Sequence, residues 1–339
     1  MKKLFLVVMI LPLIFIYFSS CEESATEPEK PPPTAKAVYV LNAIGVTISV
    51  IDLVEDEVYN NVVQVGTWPN QLVYRNGKVY CVNSGSDNIM IFDAETWDAE
   101  TPIDLGANNN PMNMVFYSDE IAYVACSLSE KVLQVNMTTK TVSKTIDAGV
   151  GATGIAIAED KVYASNTAYD GATWTYGQGT VTVIDGATGN FVKTINVSTN
   201  PQAVGIAPDG NVHVVCTGDW FSVFGKVEVI NPSADAVSNT FEVGGTPGSI
   251  GVSVPDNLGY LGVWGAGCIV YNTATGDTTY GPSNAFLGKG GSGVLVDTEG
   301  NVFVSVWDDD QVIKLDKDEN VLATYDVGDS PSALAAKVE

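Results

Sequence analysis

KVYCVNSGSDNIMIFDAETWD, residues 78–98, reads as two short alternating strands joined by a polar loop and closed by an acidic turn. The phrase returns along the whole chain. Its first strand, VYCVN at 79, has counterparts in VYVLN at 38, AYVAC at 122, VYASN at 162, VHVVC at 212, YLGVW at 259 and VFVSV at 302, seven copies spaced 40 to 50 residues apart. Each is followed by a strand ending on a polar residue: Asp52, Asp93, Asn136, Asp185, Asn231, Asn272 and Asp316. Turn-rich segments such as GATGN come next, then a third strand such as FVKTINV, then a Gly- or Pro-bearing loop into a fourth strand, as in VSTNPQAVGIA. Asn76-Gly77 and Asp209-Gly210 mark tight turns back to the next copy, where positive φ is needed.

Four antiparallel strands per repeat of about 43 residues predict an all-β, seven-bladed β-propeller. A helical solenoid would need a period of 3.6, and a sandwich would not need seven equal periods. Small residues in the fourth strands, as in GIAIA (154–158) and AVGIA (203–207), suit the strand nearest a crowded axis. The repeats begin on a VYV strand and end on PSALAAKVE, an innermost-strand segment with no outer strands after it. The terminal segment is therefore expected to complete the blade begun at residue 37, pairing the N- and C-terminal segments and leaving no open edge.

VYVLN, VYASN and TVTVIDGATGNFVKTINVSTNPQAVGIAPDG resemble the YVTN-type β-propeller repeat, over residues 37–339. The shared positions are strand and turn residues, so the resemblance implies a fold and leaves function open.

At the amino terminus Lys2 and Lys3 precede the apolar run LFLVVMILPLIFIYF, which stops at Ser19-Ser20-Cys21. This resembles a bacterial lipoprotein signal (1–20), in which Cys21 is lipidated and becomes the first mature residue; Phe18 stands where that signal usually carries leucine. The alternative is a signal peptide cut elsewhere, with Cys21 incidental. Residues 21–36 are polar and Pro-rich and are expected to form a semi-rigid tether reaching roughly 40 Å in polyproline geometry. Glu22 and Glu23 resemble the acidic surface-export signals of Bacteroidetes-type lipoproteins. The expected location is thus an exported lipoprotein at the outer membrane or cell surface, with a periplasm-facing placement as the other possibility.

Charge narrows the partners. The chain carries 40 acidic against 16 basic residues and a formal net charge of −24. Such a surface repels phosphate backbones and anionic headgroups, which excludes nucleic acid and leaves the lipid anchor as the only membrane contact expected. The chain is expected to be a monomer.

Candidate chemistry is sparse. The single histidine, His213, occupies the slot that Tyr39, Tyr80, Tyr123, Tyr163, Tyr260 and Phe303 fill in the other copies, so a structural role is expected. No metal-binding Cys/His spacing exists, and no metal or cofactor is expected. Cys81, Cys126, Cys216 and Cys268 lie on or beside strands of different blades and read as buried thiols, although an exported protein permits a disulfide. Asp316-Lys317-Asp318-Glu319-Asn320 starts like a calcium loop but lacks its glycine and carries Val327 at the twelfth position, so it reads as a hairpin turn. Asp308, Asp309 and Asp310 read as a solvated acidic loop, with weak binding of a cation as the alternative.

The sharper signal is where the repeats differ. After its VYV strand the fourth repeat inserts NTAYDGATWTYGQGT and the fifth carries TGDWFSVFGK. Strand parity puts both loops on one face, with Trp68, Trp264 and Trp307. That face is predicted to display Tyr169, Trp174, Tyr176, Trp220, Phe221, Trp264 and Trp307, with Asp170, Asp219 and Asp308 among them. Aromatic rings among polar groups suit a surface that holds a small molecule, a glycan or a protein. The alternative is that several rings merely pack the loops down. The chain is therefore read as a lipid-anchored binding module and not an enzyme. The competing class is a propeller enzyme of the lactonase or lyase sort, for which no acid–base constellation is found. The plan also resembles surface lipoproteins that capture corrinoids or glycans for an outer-membrane transporter, by fold and anchor alone.

Overall fold

The computed structural model describes residues 30–337; the signal segment, Cys21 and the first part of the tether lie outside them. The described chain forms seven four-stranded antiparallel sheets, arranged as the blades of a propeller, plus one two-stranded ribbon. Blade 1 has Ala37–Asn42, Thr47–Asp52 and Glu57–Gln64 as its outer three strands, and the last strand of the chain, Pro331–Lys337, as its innermost. Blades 2 to 7 follow in chain order, with inner strands Pro69–Arg75, Pro111–Phe116, Ala152–Ala158, Pro201–Ile206, Ser249–Ser253 and Val294–Val296. The expected ring closure is present. Ala37 pairs with Lys337 and Asn42 with Pro331, so the first and last strands form one antiparallel ladder.

The seven polar residues at the strand ends have one shared task. Each accepts a backbone N–H from the turn that follows it: Val54 to Asp52, Glu95 to Asp93, Thr139 to Asn136, Thr188 to Asp185, Ala234 to Asn231, Ala274 to Asn272 and Asp318 to Asp316. These are Asx turns, which explains why only Asp and Asn fill the position. Asp316 is one of them, as its reading as a hairpin turn requires. Of the two tight turns, Asn76-Gly77 has both residues at positive φ. At Asp209-Gly210 only Gly210 does, because Pro208 and Asp209 form a longer turn closed by Ala207 and Asn211.

The core lies between neighbouring blades, not within them. The aromatic slot of each VYV-type strand, the second strand counted outward from the axis, reaches the next blade: Tyr39 against Trp97, Tyr80 against Phe116, and the Tyr163 hydroxyl donating to Asp235 at 2.7 Å. His213 does the same, fully buried, with Nδ1 hydrogen-bonded to the Tyr271 hydroxyl at 2.7 Å. Burial pushes its pKa down to about 4, so the ring is neutral at pH 7. The four cysteines are buried and free, and desolvation raises each thiol, that of Cys126 to about 12. These are inert packing groups.

The inner strands are stitched edge to edge. Asn70 donates to the Pro111 carbonyl, Asn113 to that of Thr153, and Ser292 to that of Pro331. They enclose an axial channel of about 340 Å³ with a polar lining. Strand parity puts two sets of turns at opposite ends of this channel. One end, the loop face, carries the turns after each second strand and those leading into each inner strand. At the opposite end lie the Asx turns, and there the chain's first described residues dock. Lys30 donates to the Thr96 carbonyl, Thr34 to Asp52 at 2.8 Å, and Lys36 pairs with Glu299 at 2.7 Å. Among the described residues no helix is long and apolar enough to cross a membrane.

Candidate functional site: the loop face and its cleft

Apolar exposure is concentrated at one end of the propeller. Among the described residues seventeen large apolar side chains are strongly exposed, and eleven of them stand on the loop face. Singly scattered apolar side chains are ordinary on a protein surface; here they gather on one face. The seven aromatic residues predicted for this face, and Trp68, are all on it. They form two groups and three isolated rings. In blade 4 the insertion folds as a ribbon in which Tyr169 pairs with Tyr176, their rings 5.2 Å apart. The Trp220 indole of blade 5 donates to the Tyr176 hydroxyl at 3.2 Å, joining the two long loops. Farther round, Trp264 and Trp307 form a tilted pair 4.8 Å apart. Trp68, Trp174 and Phe221 project on their own, 73%, 79% and 86% exposed.

The backbone under three of these tryptophans is costly. Trp68, Trp174 and Trp220 sit at φ of 49°, 59° and 71°. Left-handed backbone costs a residue with a Cβ about 1–2 kcal/mol, which Gly avoids and Asn tolerates best. The position of Trp68, just before an inner strand, is filled in blades 3, 4 and 5 by Asn110, Gly151 and Asn200, also at positive φ. A tryptophan there gains little packing in return. Positive φ is not confined to this face: twenty-three non-Gly residues among those described adopt it, the buried Trp97 included, so the exposure of these rings is what sets them apart.

The acidic residues play a different part from the rings. Asp170 accepts from the Ala172 N–H and the Thr173 hydroxyl. Asp219 accepts from the N–H groups of Phe221, Ser222 and Val223 and from the Ser222 hydroxyl, which hold its carboxyl far below the usual carboxylate range. Both carboxylates are committed to shaping their own loops. Asp309 pairs with Lys289 at 2.6 Å and Asp310 accepts the Ser330 N–H, while Asp308 projects from the short 3₁₀ turn Trp307–Asp309. Among the described residues no group of three metal-ligating side chains converges.

Sequence reasoning missed the concavity that these loops enclose. A cleft of about 630 Å³ opens on the loop face beside Tyr169 and Tyr176. Its other walls come from blades 3 to 5: Asn110 and Asn200 before inner strands, and Leu128 after a second strand. Met112, Thr153 and Gln202 line both the cleft and the axial channel, so the first opens into the mouth of the second. These three stand at the head of their strands, within β-bulges where the register shifts. A bulge re-aims its side chain, and bulges gather beside sites. The signal available beforehand was the second residue of each inner-strand segment, as in PMN, ATG and PQA, but nothing local shows that these converge.

The fold is shared with Kuenenia stuttgartiensis hydrazine synthase, at 17% identity and a TM-score of 0.65, over 79% of this chain and 89% of that chain. A quinonprotein alcohol dehydrogenase-like protein from Bacteroides thetaiotaomicron VPI-5482 is similar at 15% identity and a TM-score of 0.64, over 88% of this chain and 78% of that one. At such identities the likeness is one of fold alone. No curated protein matches the sequence. The match that defines the chain spans residues 46–290, blades 1 to 6: it belongs to the family described as domain of unknown function (DUF5074).

Proposed function

We propose that the chain is an exported, lipid-anchored binding module that holds a ligand or partner on the loop face of its propeller. The observation that carries this reading is the one-sided exposure of aromatic rings. Large rigid rings give contact area at low entropy cost, and an open cleft beside them supplies shape. A binder fits the cleft better than a catalyst does: its lining is amides, hydroxyls and apolar groups with a single carboxylate, Glu130, and general acid–base work needs titratable groups in register with the reacting atoms.

The anchor fits the same reading. Residues 30–36 leave the propeller at the end opposite the loop face. A lipid on Cys21 would then hold the Asx-turn end toward the bilayer and turn the aromatic face outward. Intact mass of detergent-extracted protein should show a lipid-modified Cys21 as the first residue. Freely soluble, unmodified mature protein would remove the anchor from this account.

The binding reading is tested by replacing Trp174 and Trp220 together with alanine. Both are substantially exposed, so the unfolding midpoint should move by less than about 2 °C, the size of a surface substitution. Binding to whichever ligand a screen of glycans, corrinoids and envelope proteins returns should be lost. A double variant that binds normally and unfolds early would make these rings packing residues.

A further inference from the structure

We infer that the cleft bounded by Tyr169, Tyr176 and Gln202 is a subsite for a neutral carbohydrate chain, a short oligosaccharide lying with one end over the mouth of the axial channel. The inference rests on the loop face being a binding surface and adds to it the ligand class. A volume of about 630 Å³ lies within the range of small-ligand sites and leaves room for more than one sugar ring.

The lining chemistry selects the class. A pyranose ring has a flat face of C–H groups and an edge of hydroxyls, so its site needs an aromatic or apolar wall and uncharged donors and acceptors together. The tyrosine pair supplies the wall, and Trp220 fixes it through the Tyr176 hydroxyl. Leu128 and Val150 add exposed apolar surface to the lining. The polar groups are left with spare valence by the fold. Asn110 Oδ1 accepts from the Ser127 hydroxyl at 2.6 Å, which leaves its Nδ2 to donate. Asn200 spends both ends of its amide, donating to the Gly218 carbonyl and accepting from Gln202 Nε2 at 3.3 Å. Gln202 is thereby oriented with Oε1 as a spare acceptor. Thr153 adds a hydroxyl at the channel mouth.

Charge rules against other small-ligand classes. No lysine, arginine or histidine lines the cleft, so a phosphate, sulfate or carboxylate would be desolvated without a partner, on a chain of net charge −24. One carboxylate, Glu130, is too little to hold a polycation. An entirely apolar ligand would strand the buried or half-buried amides.

The test is a panel of neutral gluco-, galacto-, manno- and xylo-oligosaccharides, with sulfated and uronic-acid counterparts, followed by calorimetry on the best binder. Saturable binding of at least one neutral oligosaccharide is expected, with its anionic counterpart weaker. Tyr169→Ala and Gln202→Ala should each weaken it by at least about tenfold, with the unfolding midpoint unchanged. Phe191→Ala, on the outer strand of blade 4, should bind as the parent does. No neutral binding at 10 mM, about the weakest affinity worth assigning to a site, or binding confined to anionic glycans, overturns the assignment. If a ligand of another class is then held in a Trp174- and Trp220-dependent way, the loop-face reading stands and only the carbohydrate falls. If the whole screen is empty, both fall.

Discussion

Deletion of Ser330–Glu339 is expected to abolish the cooperative unfolding of the propeller or to lower its midpoint by at least about 10 °C. The segment is the innermost strand of blade 1, paired from Ala37↔Lys337 to Asn42↔Pro331. Its loss leaves the Ala37–Asn42 strand with a bare inner edge and opens the ring between blades 7 and 2, whose inner strands it separates. It also removes Ser332, Ala333 and Leu334 from the channel wall and Ala335 from the core shared with Tyr39. A gentler variant asks the same question without a truncation. Ala335 is 7% exposed, and Ala335→Asp buries an unpaired charge there, at a cost of several kcal/mol. Calorimetry reads both. A truncated chain as stable as the parent would show that the ring does not depend on this closure.

The second large effect is a pH dependence carried by one residue. His213 is buried and neutral, with a folded pKa near 4 set first by desolvation and opposed by Asp209, against about 6.5 in the unfolded chain. Between these values the unfolded chain binds the extra proton, so stability is complete above pH 6.5 and is lost as pH falls toward 4. The loss reaches roughly 3 kcal/mol. The carboxylates with depressed pKa values, such as Asp93, Asp185 and Asp316, also favour higher pH. Their contribution is lost from about pH 4 downward, below most of the histidine window. Denaturant unfolding at pH 7 and pH 4.5 should therefore show a difference that His213→Phe largely removes. At pH 7 that variant should itself be weaker by about 1–2 kcal/mol, because the Tyr271 hydroxyl loses its buried partner. Adding Tyr271→Phe should recover most of that cost while keeping the flat pH profile. An unchanged acid dependence in the double variant would place the acid sensitivity elsewhere.

The chain order of strands and turns was legible from the sequence because a blade is a local object. Alternation of apolar residues, an Asp or Asn that must close the following turn, and an inner-strand segment with no successor each involve neighbours in the chain. Asp52 and its six counterparts, the Asn76-Gly77 turn and the closure at Pro331–Lys337 all follow from such local rules. Strand parity carried the prediction one step further, placing Trp68, Tyr169, Trp174, Tyr176, Trp220, Phe221, Trp264 and Trp307 on one face. What parity could not give is which of them meet. Contact between Trp220 and Tyr176, or between Trp264 and Trp307, depends on the angle between blades and on loop shape, and that is set by packing of aromatic slots across blade interfaces. The same cause hid the cleft. Asn110, Thr153 and Gln202 are separated by some forty to fifty residues each, and only bulged strand heads arranged around one axis turn them toward a common space. Asp170 and Asp219 serve N–H and hydroxyl groups only two to four residues on, in DGAT and DWFSV, so their turn-forming role was as local as that of Asp52; how their two loops meet was a tertiary fact. So was the docking of residues 30–36 on the face opposite the rings, since Lys36 reaches a glutamate 263 positions away that no local pattern connects to it.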